Sequence, residues 1–443
     1  MIDSRIFGHQ WATAEGRAIF AEKARVVRWL EIVIALAEAQ AECGIIPAAS
    51  AEEISGLRDV DLPIDDIAAR TRQTSHSTLG MIQVLRDLLP ASSAEHVYYG
   101  TTVQDITDTS QVLEMRAVGL LIWRDLWLLE GDLLHLAEVH RETPMAGRTH
   151  GQPGSPISFG FKAASWADEV GRHLQRMQEM RGRWLVGQFG GAVGTLAFFG
   201  DHALTLRAAF CRRLDLSEPD ISWTNSRDRL AEFANFAAAA VSSLARIANE
   251  VYALQRNEIG ELAESSRPGT VGSITMPHKR NPEDSEQIVA LSRLVRSLAG
   301  ILTETMVQEH ERDARSWKVE WATFPELCHY ALAATAMARE LMSGLEVNAD
   351  AMQRNLGFGS SSERLLSEMS ARLGKHRAQE TLQEAYRRAR EERRPVVEML
   401  EGVATAAELA ELPKVDVGAS GPMVDRVIMT ARNRRSSETE NWL

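Results

Sequence analysis

The sequence predicts an all-α protein of three helical domains, with a central bundle of long helices between two smaller regions. Three observations predict it. One helical run, Asp108 to Glu142, is nearly uninterrupted and would span roughly 50 Å at the α-helical rise. Four more long runs follow: Ser155 to Gly182, Arg227 to Gly260, Glu283 to Arg312 and Trp321 to Leu345. No alternation of β-branched residues is strong enough for a sheet. The long runs are apolar on more than one face, so the bundle's helices are expected to be buried by neighbours, other subunits among them.

In chain order, residues 1–95 read as an N-terminal helical domain. Glu15 to Cys43 has apolar residues at helical spacing (Val27, Leu30, Ile32, Ile34, Ala37) and stops at Gly44. A second helix begins near Ala49, and a polar stretch from Arg70 to Ser77 precedes an apolar helix from Leu79 to Leu89. His76 in that polar stretch reads as a cap or surface residue when taken alone. Residues 96–345 hold the long runs, with loops rich in Gly, Thr, Ser and His between them. Residues 346–443 form a third helical region, with Asn348 as a plausible cap and a basic run, Arg387 to Arg394, expected on a solvated face. The polar tail after Arg432 is expected to fray.

A chain of 443 residues exceeds one ordinary core. A formal charge of −12 argues against nucleic acid as a partner. No apolar run reaches membrane-span length, the N-terminus does not read as a signal peptide, and Cys43, Cys211 and Cys328 lack metal-ligand spacing. These features fit a cytoplasmic protein with reduced core thiols.

The candidate chemistry lies in four loops. Gly100 to Thr109 offers hydroxyls and amides (Thr101, Thr102, Gln104) before the longest helix, with Asp108 or Thr109 as its N-cap; such a helix start suits a carboxylate. Gly147-Arg148-Thr149-His150-Gly151-Gln152-Pro153 places a histidine, titrating near neutrality, among small residues. Gly187 to Thr195 is glycine-rich without a βαβ unit, so close packing explains it better than nucleotide binding. Gly269 to Pro282 carries Ser273, Lys279 and Asn281 on a backbone that Gly269 and Gly272 leave mobile.

That last string, Gly272-Ser273-Ile274-Thr275-Met276-Pro277-His278-Lys279-Arg280-Asn281-Pro282, resembles the signature G-S-S-x-M-P-x-K-x-N-P of the fumarase/aspartase superfamily; only Ile274 departs. The other loops match the superfamily's regions in order along nearly the whole chain. The resemblance is nearest to the branch of adenylosuccinate lyase and 3-carboxy-cis,cis-muconate cycloisomerase. Arg5, Gly147–Gly151 and Gly190–Thr195 resemble the former; Arg227–Leu230, Gln308–Arg312, Trp317 and Glu320-Trp321 resemble the latter.

The resemblance implies an all-helical homotetramer, with sites shared between subunits, that removes a proton next to a carboxylate and expels an amine or oxygen. It implies Ser273 as base, His150 as the group protonating the leaving atom, and Glu286 as the carboxylate orienting that histidine. Lys279 and Asn281 would stabilise the dicarboxylate intermediate, while Thr149, His76, Arg5 and Arg312 would bind substrate; Thr101, Thr102 and Gln104 would bind its carboxylate in compensation for the departure at Val103. No metal or cofactor is implied.

Departures bear on the substrate. Tyr98, Trp317 and Trp321 stand where adenylosuccinate lyases hold a phosphate with a His, a Ser and an Arg; Val103 replaces a Ser and Ser226 a Gln. His150 stands where bacterial muconate cycloisomerases have Trp, which favours true elimination. The expectation is a lyase releasing fumarate from a substituted succinate, an N-substituted aspartate in particular. The alternatives are carboxymuconate cycloisomerase, adenylosuccinate lyase and, from another class, a non-catalytic crystallin-like protein.

Overall fold

A computed structural model describes the chain apart from Arg267, Pro268, Thr270 and residues 357–361, 411–413 and 439–441. The N-terminal layer comprises α1 (Ala14–Phe20), α2 (Glu22–Glu42), α3 (Ala48–Ser55), α4 (Ile64–Thr74), α5 (Leu79–Asp87) and the short α6 (Ala91–Ala94). The expected unbroken helix from Glu15 is interrupted at Ala21, whose ψ of 144° is extended. Arg28 Nη1 satisfies the carbonyl of Ile19 that the break frees, at 2.7 Å.

The bundle follows: α7 (Val103–Val139), α8 (Phe159–Trp184), α9 (Ala203–Arg213), α10 (Asp228–Leu254), α11 (Glu283–Glu304) and α12 (Ala314–Ser343). α7 starts earlier than the sequence suggests. Its N-cap is Thr102, whose N–H donates to Asp105 Oδ2 at 3.0 Å, so Asp108 and Thr109 lie buried inside the helix instead of capping it. α11 stops at Glu304, short of Arg312: residues 305–313 form a loop in which His310 takes φ +55°, and Asp313 caps α12 through the N–H of Arg315 at 3.0 Å.

Two small sheets also depart from the expectation of none. β1 (Pro144–Thr149) pairs antiparallel with β2 (Gln152–Ser158), and β3 (Leu262–Ala263) pairs with β4 (Glu346–Val347). Ser155 to Ser158 is therefore strand where a helix was expected; α8 begins at Phe159, with Ser158 Oγ accepting from Phe161 N–H at 3.1 Å. Pro153 and Pro156 disfavour helix there.

The C-terminal region holds α13 (Ala349–Arg354), α14 (Ser362–Leu373), α15 (Lys375–Glu392), α16 (Val396–Met399), α17 (Ala406–Leu409) and α18 (Ser420–Ser437). Asn348 caps α13 as expected, accepting from Ala351 N–H at 3.0 Å. A separate core forms around Leu365, Met369, Leu382 and Leu400. The Arg387–Arg394 run is exposed and pairs with Glu384, Glu391, Glu392 and Glu398. Contrary to the expected fraying, residues 433–437 continue α18, which packs on α7 and α8, and Trp442 is fully buried with its indole N–H on the Met177 carbonyl at 3.1 Å. That ring lies against Gly119 so closely that a Cβ there would come within 2.5 Å of it. No helix among the described residues is long and apolar enough to cross a membrane.

Candidate active site

One hydrogen-bonded cluster is built on Asp105. Its Oδ1 accepts from Gly190 N–H at 2.8 Å; its Oδ2 accepts from Gly191 N–H at 3.1 Å, Thr102 N–H at 3.0 Å and Thr101 Oγ1 at 3.0 Å. One buried carboxylate thus clips the start of α7 to the glycine-rich loop. Burial pushes its pKa up to about 6 against those donors. The close packing expected of that loop is present, since a Cβ on Gly190 would sit 2.4 Å from Ser222 Oγ.

Beside this clip, Arg312 Nη1 donates to Thr102 Oγ1 at 2.8 Å, and its guanidinium lies 5.8 Å from the Trp317 ring centroid. The loop carrying Arg312 is fastened by Asn225 to the His310 carbonyl at 2.6 Å and by Thr224 to the Glu311 carbonyl at 3.0 Å. Trp317 and Trp321 meet edge to face at 4.5 Å, and the buried Trp317 indole N–H has no partner among the described residues. Burial raises the Tyr98 pKa, with a Thr78 hydrogen bond opposing it. Gln104 is buried and donates to Asp108 Oδ2 at 2.9 Å and the Thr224 carbonyl at 2.7 Å, which leaves no amide hydrogen for a ligand.

Beneath lies a sealed ionic cluster. Arg227 reaches Asp108 at 2.7 Å and Glu320 at 2.5 Å, joining α7, the start of α10 and α12. Burial alone would lower the Arg227 pKa; the two carboxylates outweigh it and raise it, so the cation persists.

Thr149 and His150 sit on an exposed hairpin tip. His150 at φ +53° and Gly151 at φ +73° form the two-residue turn between β1 and β2, a geometry that glycine accepts freely. Arg148 holds the hairpin to buried Glu261 through two bonds of 2.8 and 2.6 Å, and Asn355 donates to the same carboxylate at 2.8 Å.

Ser273, Lys279 and Asn281 share the Gly269–Pro282 loop. Ser273 Oγ accepts from Met276 N–H at 3.0 Å, and Lys279 N–H donates to the Met276 carbonyl at 2.9 Å. Gly272 passes so near the Lys279 carbonyl that a Cβ would lie 2.3 Å from it. The loop's exit is fixed by Arg280 on Glu346 at 2.9 Å and by Glu264, which accepts from Asp284 and Ser285 N–H at 3.1 and 2.8 Å and so caps α11. Lys279 and Glu286 are exposed, and Ile274 is 93% exposed.

The chain therefore gathers Thr101, Thr102, Gln104 and Arg312 in one place, Thr149 and His150 in a second, and Ser273, Lys279, Asn281 and Glu286 in a third. Among the described residues no hydrogen bond or ion pair joins Ser273, His150 and Glu286 to one another. His76 is exposed, two residues before the Thr78 that hydrogen-bonds Tyr98, and Arg5 is exposed at the N-terminus. The sequence reading missed Asp105, although Thr102-x-x-Asp105 carries a capping-box spacing. It also missed Glu261 and Glu264, for which no local signal exists.

A family profile described as a lyase matches residues 10–296. The chain belongs to the fumarase/aspartase superfamily of lyases. Among superfamily relatives, an N-acetyl-S-(2-succino)cysteine lyase of Dickeya dadantii is 37% identical, over 89% of this chain and 87% of that one. A 3-carboxy-cis,cis-muconate cycloisomerase of Pseudomonas aeruginosa is 36% identical, over 96% and 92% of the two chains. The crystal structure of a 3-carboxy-cis,cis-muconate lactonizing enzyme from Pseudomonas putida superposes with a TM-score of 0.90 at 31% identity, covering 97% of this chain and 99% of that one. The helical fold expected of a superfamily lyase is thus observed.

Proposed function

We propose that this lyase releases fumarate from a 2-substituted succinate, breaking a carbon–nitrogen or carbon–sulfur bond, with a leaving group that is not a nucleotide. The observation that carries this reading is Arg312 beside Thr102, backed by the Trp317 and Trp321 rings. A guanidinium next to a hydroxyl at a helix start is a carboxylate receptor, whereas two indole rings offer no charge to a phosphate. Ser273 takes the proton from the carbon next to a carboxylate; Lys279 and Asn281 hold the charge that develops there. The electron pair forms the alkene as the carbon–heteroatom bond breaks, and His150, oriented by Glu286, gives the departing atom its proton. Thr149, His76 and Arg5 complete the substrate contacts.

His150 is exposed on its hairpin tip, Ser273 is half-buried on a different loop, and no hydrogen bond joins them among the described residues. We infer that a homotetramer brings these groups from different copies to one site. The succinocysteine in the name of the Dickeya dadantii relative is a thioether, so sulfur stands beside the nitrogen expected from the sequence.

The test is fumarate absorbance with N-acetyl-S-(2-succino)cysteine, an N-substituted aspartate and adenylosuccinate, and loss of muconate absorbance with carboxymuconate, each with wild type and Ser273→Ala. Fumarate release from either of the first two, abolished in Ser273→Ala, is the expected result. Turnover of adenylosuccinate at an equal rate would overturn the non-nucleotide assignment. Turnover of carboxymuconate alone would overturn the elimination itself.

A further inference from the structure

A cavity of about 420 Å³ lies between α2 and α4 on one side and α7 and α12 on the other. Its size is that of a small-molecule pocket. Trp29, Ile64, Ala68 and Trp321 give it apolar and aromatic walls. One of its walls touches the proposed carboxylate receptor through a ring pair, since Trp321, which lines the cavity, lies edge to face against Trp317, beside which Arg312 is held. Ser110 marks its depth: eight residues beyond Thr102 on the same helix, it lies about 12 Å further along the axis.

Two features show that the cavity is shaped for more than packing. Ser110 is 2% exposed, lines the cavity, and its hydroxyl has no hydrogen-bond partner among the described residues. A buried hydroxyl left unpaired costs stability unless a ligand serves it. The carboxylates on the walls are already matched: Glu114 by Arg28 at 2.6 Å, Glu22 by Arg25 at 2.8 Å and Glu320 by Arg227. Arg72 on the rim is the exception, an exposed cation with no ion-pair partner among the described residues. The walls thus suit an apolar body, with one hydrogen-bonding group at the depth of Ser110 and one negative charge near Arg72.

We propose that this cavity is the subsite for the leaving group, and that the leaving group is an extended apolar chain or ring bearing a carboxylate. The inference rests on the elimination reading above and names the substrate class for it. In the thioether case, the base removes a proton from the succinyl CH2 and the C–H electrons form the alkene. The C–S bond breaks, and the sulfur leaves as a thiol after taking one proton.

The experiment compares S-(2-succino) derivatives of 3-mercaptopropanoate, 8-mercaptooctanoate and octanethiol. Wild type is expected to favour the octanoate over the propanoate by tenfold or more in kcat/KM. Ala68→Phe fills the cavity and should reduce that ratio at least tenfold, whereas Ile64→Ala widens it and should preserve or raise the ratio. Arg72→Gln, an exposed change that leaves the fold intact even if Ala68→Phe does not fold, should narrow the preference for octanoate over octanethiol. A wild-type ratio near one, or a ratio unmoved by both Ala68→Phe and Arg72→Gln, overturns the assignment. If no thioether or amine yields fumarate, the elimination reading fails by itself, and calorimetric titration with 8-mercaptooctanoate then decides the cavity. Saturable binding weakened by Arg72→Gln supports the subsite; no binding overturns it.

Discussion

The sealed ionic cluster and the exposed loop tips make opposite uses of charge. Arg227, Asp108 and Glu320 have side chains 1%, 1% and 0% exposed, and they tie three long helices together. His150 and Lys279 stand in solvent on segments fastened at their bases, the hairpin by Glu261 and the loop by Glu264 and Glu346. Buried charge here fixes helices in register, and under the proposed mechanism the exposed charge is left free for chemistry. The two regions should therefore fail differently: damage to the first should unfold the protein, and damage to the second should silence it.

Arg227→Ala is the harshest break. It leaves two carboxylates facing each other without a cation, and should cost about 3–5 kcal/mol of stability in urea melts. Replacing all three members by apolar residues should cost less, because no orphan charge remains. His150→Ala should do the reverse, lowering kcat for fumarate release by roughly 10²–10⁴-fold with an unchanged urea midpoint. A shifted midpoint would show that the tip is structural.

Two buried histidines sharpen the comparison through pH. Burial lowers His173 and His329 to about 4 from an ordinary value of 6.5. Below pH 6.5 the unfolded chain takes protons that the folded chain refuses, so stability falls as pH drops from 6.5 towards 4. At pH 4 each contributes a loss of about 3 kcal/mol. His329→Leu should flatten the pH dependence of the melting temperature over that window; an unaltered slope would assign the loss elsewhere. The mildest expected effect is Glu264→Ala, which uncaps α11 and should cost about 1 kcal/mol. Its consequence for kcat should exceed its consequence for stability, since the same carboxylate anchors the exit of the Ser273 loop.

What the sequence revealed followed from periodicity. The five long runs were legible because 3.6-residue patterning survives over many turns, and the signature loop because its residue types are rare in combination. The hairpin was not legible: Pro144-Met145-Ala146-Gly147 lacks β-branched alternation, and the only turn signal was His150-Gly151. The end of α11 was missed because Thr305 to Arg312 keeps helical composition, while tertiary bonds from Thr224 and Asn225 pull it into a loop. Gln104 reads as a ligand contact from its place beside Thr102, but a buried amide must find partners inside, and Asp108 and the Thr224 carbonyl supply them. Long-range partners such as Glu261 for Arg148 leave no trace in local spacing.

The distribution of indole rings has an optical consequence. Six tryptophans (Trp123, Trp127, Trp166, Trp184, Trp223 and Trp442) are buried, whereas Trp11, Trp29, Trp317 and Trp321 are more open, three of them around the Arg312 receptor and the adjoining cavity. The chain should therefore emit from two populations: a blue-edged one that follows the integrity of the bundle, and a red-edged one, more open to quenchers, whose Trp29, Trp317 and Trp321 members would respond to a ligand in the proposed subsite.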